Sequence, residues 1–190
     1  MKVVAIAGSP RKKGNSTSLM RHAVEGAQER GAIVEVFSAR DLNVAGCLAC
    51  GSCKRSADAV CVQEDDMHAV YAALRDADAL LLASPVYFYG VTAQVKAVVD
   101  RCYALMPFEG VPVGEQPVPR IAPGMPFYMI TSQADGPVFF GLQVYSTIAY
   151  GMTWLGMKPA GELIATGLEG PDEWKQRDDL IAAARALVKV

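Results

Sequence analysis

The sequence predicts an α/β fold, a doubly wound five-stranded parallel sheet in the order 2-1-3-4-5 with helices on both faces. Three observations predict it. Short β-branched or apolar runs alternate with longer helix-length stretches, the pattern of strand–helix repeats. The run Ala79 to Ser84 is nearly all apolar, as a parallel strand covered on both faces should be. The chain has 190 residues, enough for five such strands around one sizeable core.

The elements follow in order. Lys2 to Ala7 reads as a buried strand and Asn15 to Arg30 as a helix. Ile33 to Ser38 is a second strand, followed by a cysteine-rich loop from about 43 to 62. Asp65 or Asp66 can cap the next helix, Met67 to Arg75. Ala79 to Ser84 is the third strand and Thr92 to Leu105 a helix. Pro107 to Pro126 holds six prolines and reads as a loop. Phe127 to Ser132 is the fourth strand, Phe139 to Leu155 a helix apolar nearly all round, Glu162 to Thr166 a short fifth strand, and Asp172 to Val190 an amphipathic helix. With no internal repeat and no long linker, residues 1–190 are expected to form a single flavodoxin-like domain. That topology places its ligand at the carboxyl ends of strands one and three, where the winding reverses.

Composition narrows the function. A hydrophobic fraction of 52% and a charged fraction of 20% belong to a globular chain. A net charge of −2 gives no footprint for nucleic acid. No stretch approaches the roughly 18 apolar residues of a membrane span. Met1 to Ala7 runs straight into the basic loop Gly8 to Lys13, which reads as a strand end and not as a signal peptide. A cytoplasmic location is therefore expected, and five cysteines there favour metal or redox chemistry over disulfides.

The loop after strand one, Gly8-Ser9-Pro10-Arg11-Lys12-Lys13-Gly14-Asn15-Ser16-Thr17-Ser18, is rich in hydroxyls and cations and ends at a helix N-terminus. Free N–H groups and the helix dipole favour an anion there. Ser9, Arg11, Asn15, Ser16 and Thr17 can add side-chain donors. The loop matches neither a Walker A sequence nor G-x-G-x-x-G, so a monophosphate fits better than a pyrophosphate. The plainer reading is a helix cap beside solvated cations. After strand three, Ser84-Pro85-Val86-Tyr87-Phe88-Tyr89-Gly90 offers backbone donors and apolar surface to a flat heterocycle. Alone, its aromatics could equally be core or subunit-interface residues. Paired with a phosphate loop at the neighbouring strand end, the segment points to FMN.

Cys47, Cys50, Cys53 and Cys61 form C-x2-C-x2-C-x7-C. The opening triplet matches the ferredoxin run, although Val62 stands where that run has proline. Structural zinc sites usually pair two C-x2-C units across a longer gap, so three consecutive cysteines fit a cluster better. Zinc and an unmetallated loop remain the alternatives. Cys102 reads as an ordinary buried thiol. His22 and His68 are isolated on helices, with nothing to suggest a ligand role.

Gly8-Ser9-Pro10-Arg11, Ser84-Pro85-Val86-Tyr87 and Lys96 with Asp100-Arg101 resemble the NADPH-dependent FMN reductase group. Val44 to Cys53 with Cys61 to Met67 resembles its iron–sulfur flavoprotein branch. The likeness covers roughly residues 1 to 106. It implies one FMN and one 4Fe–4S cluster per chain in a homodimer or homotetramer. By the same resemblance Cys47, Cys50, Cys53 and Cys61 would be the cluster ligands. Ser9, Arg11, Asn15, Ser16 and Thr17 would surround the phosphate, and Pro85, Val86, Tyr87 and Phe88 would edge the isoalloxazine. The expected activity is electron transfer from ferredoxin or NAD(P)H to a small acceptor, with no amino-acid general acid or base. The rival enzyme is an NAD(P)H-dependent FMN or quinone reductase without a cluster. The rival of another class is a non-catalytic zinc-binding scaffold or redox sensor. The spacing to Cys61 lies at the long end of the family pattern, and the loop 107–126 is longer than expected.

Overall fold

A computed structural model describes residues 1–55, 60–108, 111–112, 115 and 117–190. Parts of the cysteine loop (56–59) and of the proline-rich loop (109–110, 113–114 and 116) lie outside the described residues. The elements run β1 (Lys2–Ala7), α1 (Asn15–Glu29), β2 (Ile33–Ser38), α2 (Met67–Arg75), β3 (Ala79–Pro85), α3 (Ala93–Arg101), β4 (Pro126–Ser132), α4 (Phe139–Trp154), β5 (Lys158–Ala165) and α5 (Asp178–Leu187). All four strand pairings are parallel, and the sheet order is β2-β1-β3-β4-β5. This is the predicted flavodoxin-like topology.

The two-residue period of the strands divides the core between the two faces. Val4, Ile6, Leu80, Leu82, Phe127 and Met129 point to one face, where residues of α2, α3 and α4 bury them. Val3, Ala5, Leu81, Tyr128 and Ile130 point to the other, against α1 and α5. Helices α1 and α5 touch so closely at Gly26 that a Cβ there would lie 2.2 Å from the Arg185 carbonyl oxygen. Crossover connections on both faces leave β2 and β5 as the edges and gather the loops after β1, β2 and β3 on one rim.

Three boundaries differ from the sequence reading. β5 begins at Lys158, four residues before Glu162. Its first half is an exposed edge that includes Pro159, which an edge strand tolerates, and a register shift at Phe127/Tyr128 accompanies it. α3 tightens into a 3₁₀ turn over Cys102–Leu105. The terminal helix is split, with a 3₁₀ turn over Glu173–Gln176 before α5. Among the described residues, no helix is long and apolar enough to cross a membrane.

Candidate functional site

The loop after β1 starts in a tight passage between β3 and α3. A Cβ at Gly8 would meet Val95 Cγ2 at 2.1 Å and the Ala83 carbonyl at 2.7 Å, so no other residue fits between β3 and α3. Thr92 fixes this crossing. Its hydroxyl donates to the Gly8 carbonyl at 2.7 Å and accepts from Val95 N at 3.3 Å, while its own N–H donates to Ser84 Oγ at 3.1 Å. Ser9 Oγ accepts the Arg11 N–H at 3.1 Å and curls the loop back toward the helix.

α1 then starts at Gly14 without a side-chain cap and without an acidic residue in its first turn. Its first N–H groups and positive dipole end are left to any anion in the loop. Asn15 Oδ1, Ser16 Oγ and Thr17 Oγ1 are all buried there with no hydrogen-bond partner. Buried polar atoms are ordinarily paired. At this uncapped helix start the Ser16 and Thr17 hydroxyls can each donate to an anion, whereas Asn15 Oδ1 can only accept.

The loop after β3 is pinned beside them. Pro85 pairs with Ser132 of β4, and Val86 N donates to the Ser132 carbonyl at 2.8 Å. Tyr87 and Gly90 exchange both backbone hydrogen bonds around Phe88 (φ 46°) and Tyr89 (φ 60°). Two left-handed central residues define a type I′ turn, a conformation usually given to Asn and Gly.

A cavity of about 180 Å³ opens between the two loops, lined among others by Ser9, Arg11, Asn15, Ser16, Pro85, Val86 and Tyr87. Two predicted residues stand apart from it. Thr17 lines a neighbouring groove, and Phe88 is 100% exposed at the tip of its turn. The sequence reading missed the far wall, which comes from Ser132, Gln133, Leu168 and Glu169. These residues end or follow β4 and β5, so the carboxyl-end rule was the available signal. Asn15 ties this wall to α1, since its Nδ2 donates to the Gly170 carbonyl at 2.8 Å.

All four cysteines of the C-x2-C-x2-C-x7-C run line one cavity of about 380 Å³, together with Lys54, Gln63 and Tyr103. Each is a free thiol. Hydrogen bonds from the backbone and side chain of Ser52 draw the exposed Cys50 thiol below its ordinary range, while burial pushes Cys53 up. Among the described residues, no three His, Cys, Asp or Glu side chains converge closely enough for one metal ion. The four thiols of the run are nevertheless brought to one cavity. Cys102 lies outside this group, buried, with desolvation pushing its thiol up to about 12, as expected of an inert core cysteine.

Two cations hold the cysteine loop. Arg101, only 1% exposed at the end of α3, grips Asp65 with two hydrogen bonds and donates a third to the Ala45 carbonyl at 3.1 Å. Asp65 also accepts from Ala45 N at 3.3 Å and caps α2 through Met67 N at 3.1 Å. Asp66 does not cap the helix; it accepts Asn43 N at 2.6 Å. On the other arm, Lys54 Nζ sits 3.6 Å from the centroid of the Tyr103 ring and donates to the Tyr103 and Met106 carbonyls. Tyr103 in turn stacks on Trp154 at 5.6 Å. The loop is thus anchored before its first cysteine, after its third and after its fourth.

A sequence profile of the NADPH-dependent FMN reductases matches residues 1–125. The chain belongs to the NADPH-dependent FMN reductase family. Among individual members, the iron-sulfur flavoprotein MJ1083 of Methanocaldococcus jannaschii is 41% identical over 101 residues, covering 53% of this chain and 51% of that protein. An iron-sulfur flavoprotein of Methanosarcina thermophila is 42% identical over 105 residues, covering 55% of this chain and 54% of the relative. The chain thus matches about half the length of these curated relatives. In three dimensions this FMN reductase family member superposes on the NAD(P)H:quinone oxidoreductase from Methanothermobacter marburgensis with a TM-score of 0.73 at 19% identity, over 98% of this chain and 94% of the other. It also superposes on an FMN-dependent NADH-azoreductase from Bacillus anthracis with a TM-score of 0.72 at 12% identity, over 97% and 96% of the two chains. At these identities the structural likeness speaks for the fold.

Proposed function

We propose that this protein is a flavin-dependent oxidoreductase of the iron–sulfur flavoprotein branch, acting as one flavodoxin-like domain over residues 1–190. It holds one FMN and one 4Fe–4S cluster and passes electrons between a one-electron carrier such as ferredoxin, or NAD(P)H, and a small acceptor. The observation that carries this reading is the gathering of Cys47, Cys50, Cys53 and Cys61 around one cavity on the rim that also bears the β1 and β3 loops.

Ser9, Arg11, Asn15, Ser16 and Thr17 hold the flavin phosphate, using the uncapped start of α1 and the unpartnered Ser16 and Thr17 hydroxyls beside it. Pro85, Val86 and Tyr87 edge the isoalloxazine, with Phe88 on the solvent side of the same loop. Cys47, Cys50, Cys53 and Cys61 ligate the cluster. When bound, FMN supplies hydride and single-electron chemistry and the cluster single-electron chemistry, which together couple one- and two-electron partners. The chain's own residues bind and orient both groups, and none serves as a general acid or base. The protein works in the cytoplasm as a homodimer or homotetramer. Exposed apolar side chains on and beside α4, Val138, Phe139, Leu142 and Tyr150, supply surface for self-association.

Purification without oxygen followed by assay of iron, sulfide and FMN tests the reading. A protein carrying both cofactors supports it, and Cys50→Ser should then lose the broad cluster absorption while FMN stays bound. FMN without iron would leave a cluster-free reductase. Stoichiometric zinc without flavin would leave a scaffold or sensor.

A further inference from the structure

Lys54 directly follows the third cysteine of the run and lines the same cavity as Cys47, Cys50, Cys53 and Cys61. Among the described residues lining that cavity, it brings the one positive charge, and no carboxylate is present. Its place is fixed from two sides. Nζ donates to the Tyr103 and Met106 carbonyls, around the 3₁₀ turn that follows α3. The same ammonium stands 3.6 Å from the centroid of the Tyr103 ring and 4.9 Å from that of Phe108. Tyr103 stacks on Trp154 of α4 within 7° of parallel, which steadies the ring beneath the charge.

All these partners are neutral. A carbonyl dipole or a ring face orients an ammonium and leaves its net charge intact, whereas a carboxylate would cancel it. Among the described residues, the lysines that meet a carboxylate are Lys2, Lys96 and Lys175. Lys54 is not one of them. Arg101, the other cation that holds the loop, is the opposite case: it is paired with Asp65 and does not line the cavity. Lys54 is also partly buried, while Arg55 beside it is exposed, so water and salt screen the Lys54 charge less. The loop is therefore fastened by one neutralised cation and by one whose charge is directed at the thiols.

Four cysteine thiolates make the group they hold anionic, and each electron it accepts adds a negative charge. The potential of such a group follows its net charge and surroundings. We propose that the Lys54 ammonium is a fixed counter-charge for the cluster held by Cys47, Cys50, Cys53 and Cys61, and that it raises the reduction potential of that cluster. The two carbonyls and two rings set its position, and its charge favours the reduced state. The inference rests on the cluster reading above, and its test reads a potential, not turnover.

Protein purified without oxygen is titrated with dithionite in the presence of redox mediators, and the cluster signal is followed by EPR. Lys54→Gln keeps an N–H donor without the charge, and Lys54→Arg keeps the charge. Lys54→Gln should lower the one-electron reduction constant about tenfold, a downward shift of about 59 mV. Lys54→Arg should stay near the wild-type value, and the exposed Arg55→Gln should shift it by less than half as much as Lys54→Gln. Thermal melts with iron and sulfide assays verify that each variant is folded and loaded, and Lys54→Met replaces Lys54→Gln if that variant loses its cluster. Equal potentials in wild type and the neutral variant, or the same fall in Lys54→Arg, would overturn the assignment. Loss of the cluster from all three Lys54 variants would also overturn it, by making the lysine a clamp alone. A wild-type protein that holds no iron would instead overturn the cluster reading itself, and this inference with it.

Discussion

Arg101 Nη1 and Nη2 reach the two carboxylate oxygens of Asp65 at 2.7 and 3.0 Å, across 36 residues of sequence and almost out of contact with water. This bidentate pair joins the end of α3 to the chain just after Cys61, and the further bond from Nη1 to the Ala45 carbonyl joins it to the chain just before Cys47. One guanidinium therefore closes the base of the cysteine loop. Removing one partner of a buried pair leaves the other charge uncompensated, so Arg101→Ala should cost about 3–5 kcal/mol in urea unfolding. Arg101→Lys should recover only part, because an ammonium cannot make the parallel two-point contact. Replacing Arg101 and Asp65 together by leucine should cost less than Arg101→Ala alone. A double-variant loss equal to the sum of the two single-variant losses would mean that the pair is not coupled.

The same pair sets an acid sensitivity. Hydrogen bonds from Arg101, aided by those from Met67 N and Ala45 N, hold the Asp65 carboxyl below the usual range. A carboxylate with a depressed folded-state value binds protons more readily when unfolded. Its contribution is complete above the ordinary aspartate value of about 3.9 and is lost as pH falls through the lower folded value. The stability gap between wild type and Asp65→Asn should be constant from pH 7 to about 5 and then close as the pH drops further. Urea midpoints of both proteins across that range measure it. A gap that widened in acid would reverse the sign assigned here.

Ser16 tests the start of α1. Its hydroxyl is buried and unpartnered beside Asn15 and Thr17, at a helix end with no cap and no acidic residue. A hydrogen bond to a charged group contributes about 1.5–3 kcal/mol. Ser16→Ala should therefore weaken FMN affinity by roughly tenfold to a hundredfold, measured by flavin fluorescence. Stability of the flavin-free protein should hold or rise, since the substitution removes an unsatisfied buried atom. A loss of stability without a loss of flavin affinity would make Ser16 a structural residue.

What could be read in advance followed the range of the interactions. The strands and helices were legible because their cores obey periods of two and 3.6 residues, and the sheet order followed from their alternation. The β1 loop and the cysteine run were legible because their chemistry is contiguous in sequence. Asp65 or Asp66 was expected to cap α2, and Asp65 is the one that accepts Met67 N, but its pairing with Arg101 depends on how α3 packs. Nothing in the sequence singles out Lys54, and only the fold brings Tyr103 and Met106 to it. Gln133 and Leu168 were missed as cavity residues, although the carboxyl-end rule pointed to the segments that follow β4 and β5. The start of β5 was missed because an exposed edge needs no apolar alternation.

The turn at Phe88 stores strain that a small change should release. Phe88 and Tyr89 both hold positive φ, 46° and 60°, in a turn that Asn and Gly occupy far more easily. A left-handed conformation costs an ordinary L-residue about 1–2 kcal/mol. The Phe88 ring offsets little of this, since it is fully exposed and its ring lies 6.4 Å from that of Tyr89. Tyr89 is better held, with its ring 5.0 Å from Phe140. Phe88→Asn should therefore stabilise the flavin-free protein by about 0.5–1 kcal/mol, while Tyr89→Gly gains less because it gives up that contact. Urea unfolding of the two variants separates the effects. A Phe88→Asn protein less stable than wild type would mean that the exposed ring is covered in solution, by a second copy of the chain against the neighbouring Phe139 and Phe140.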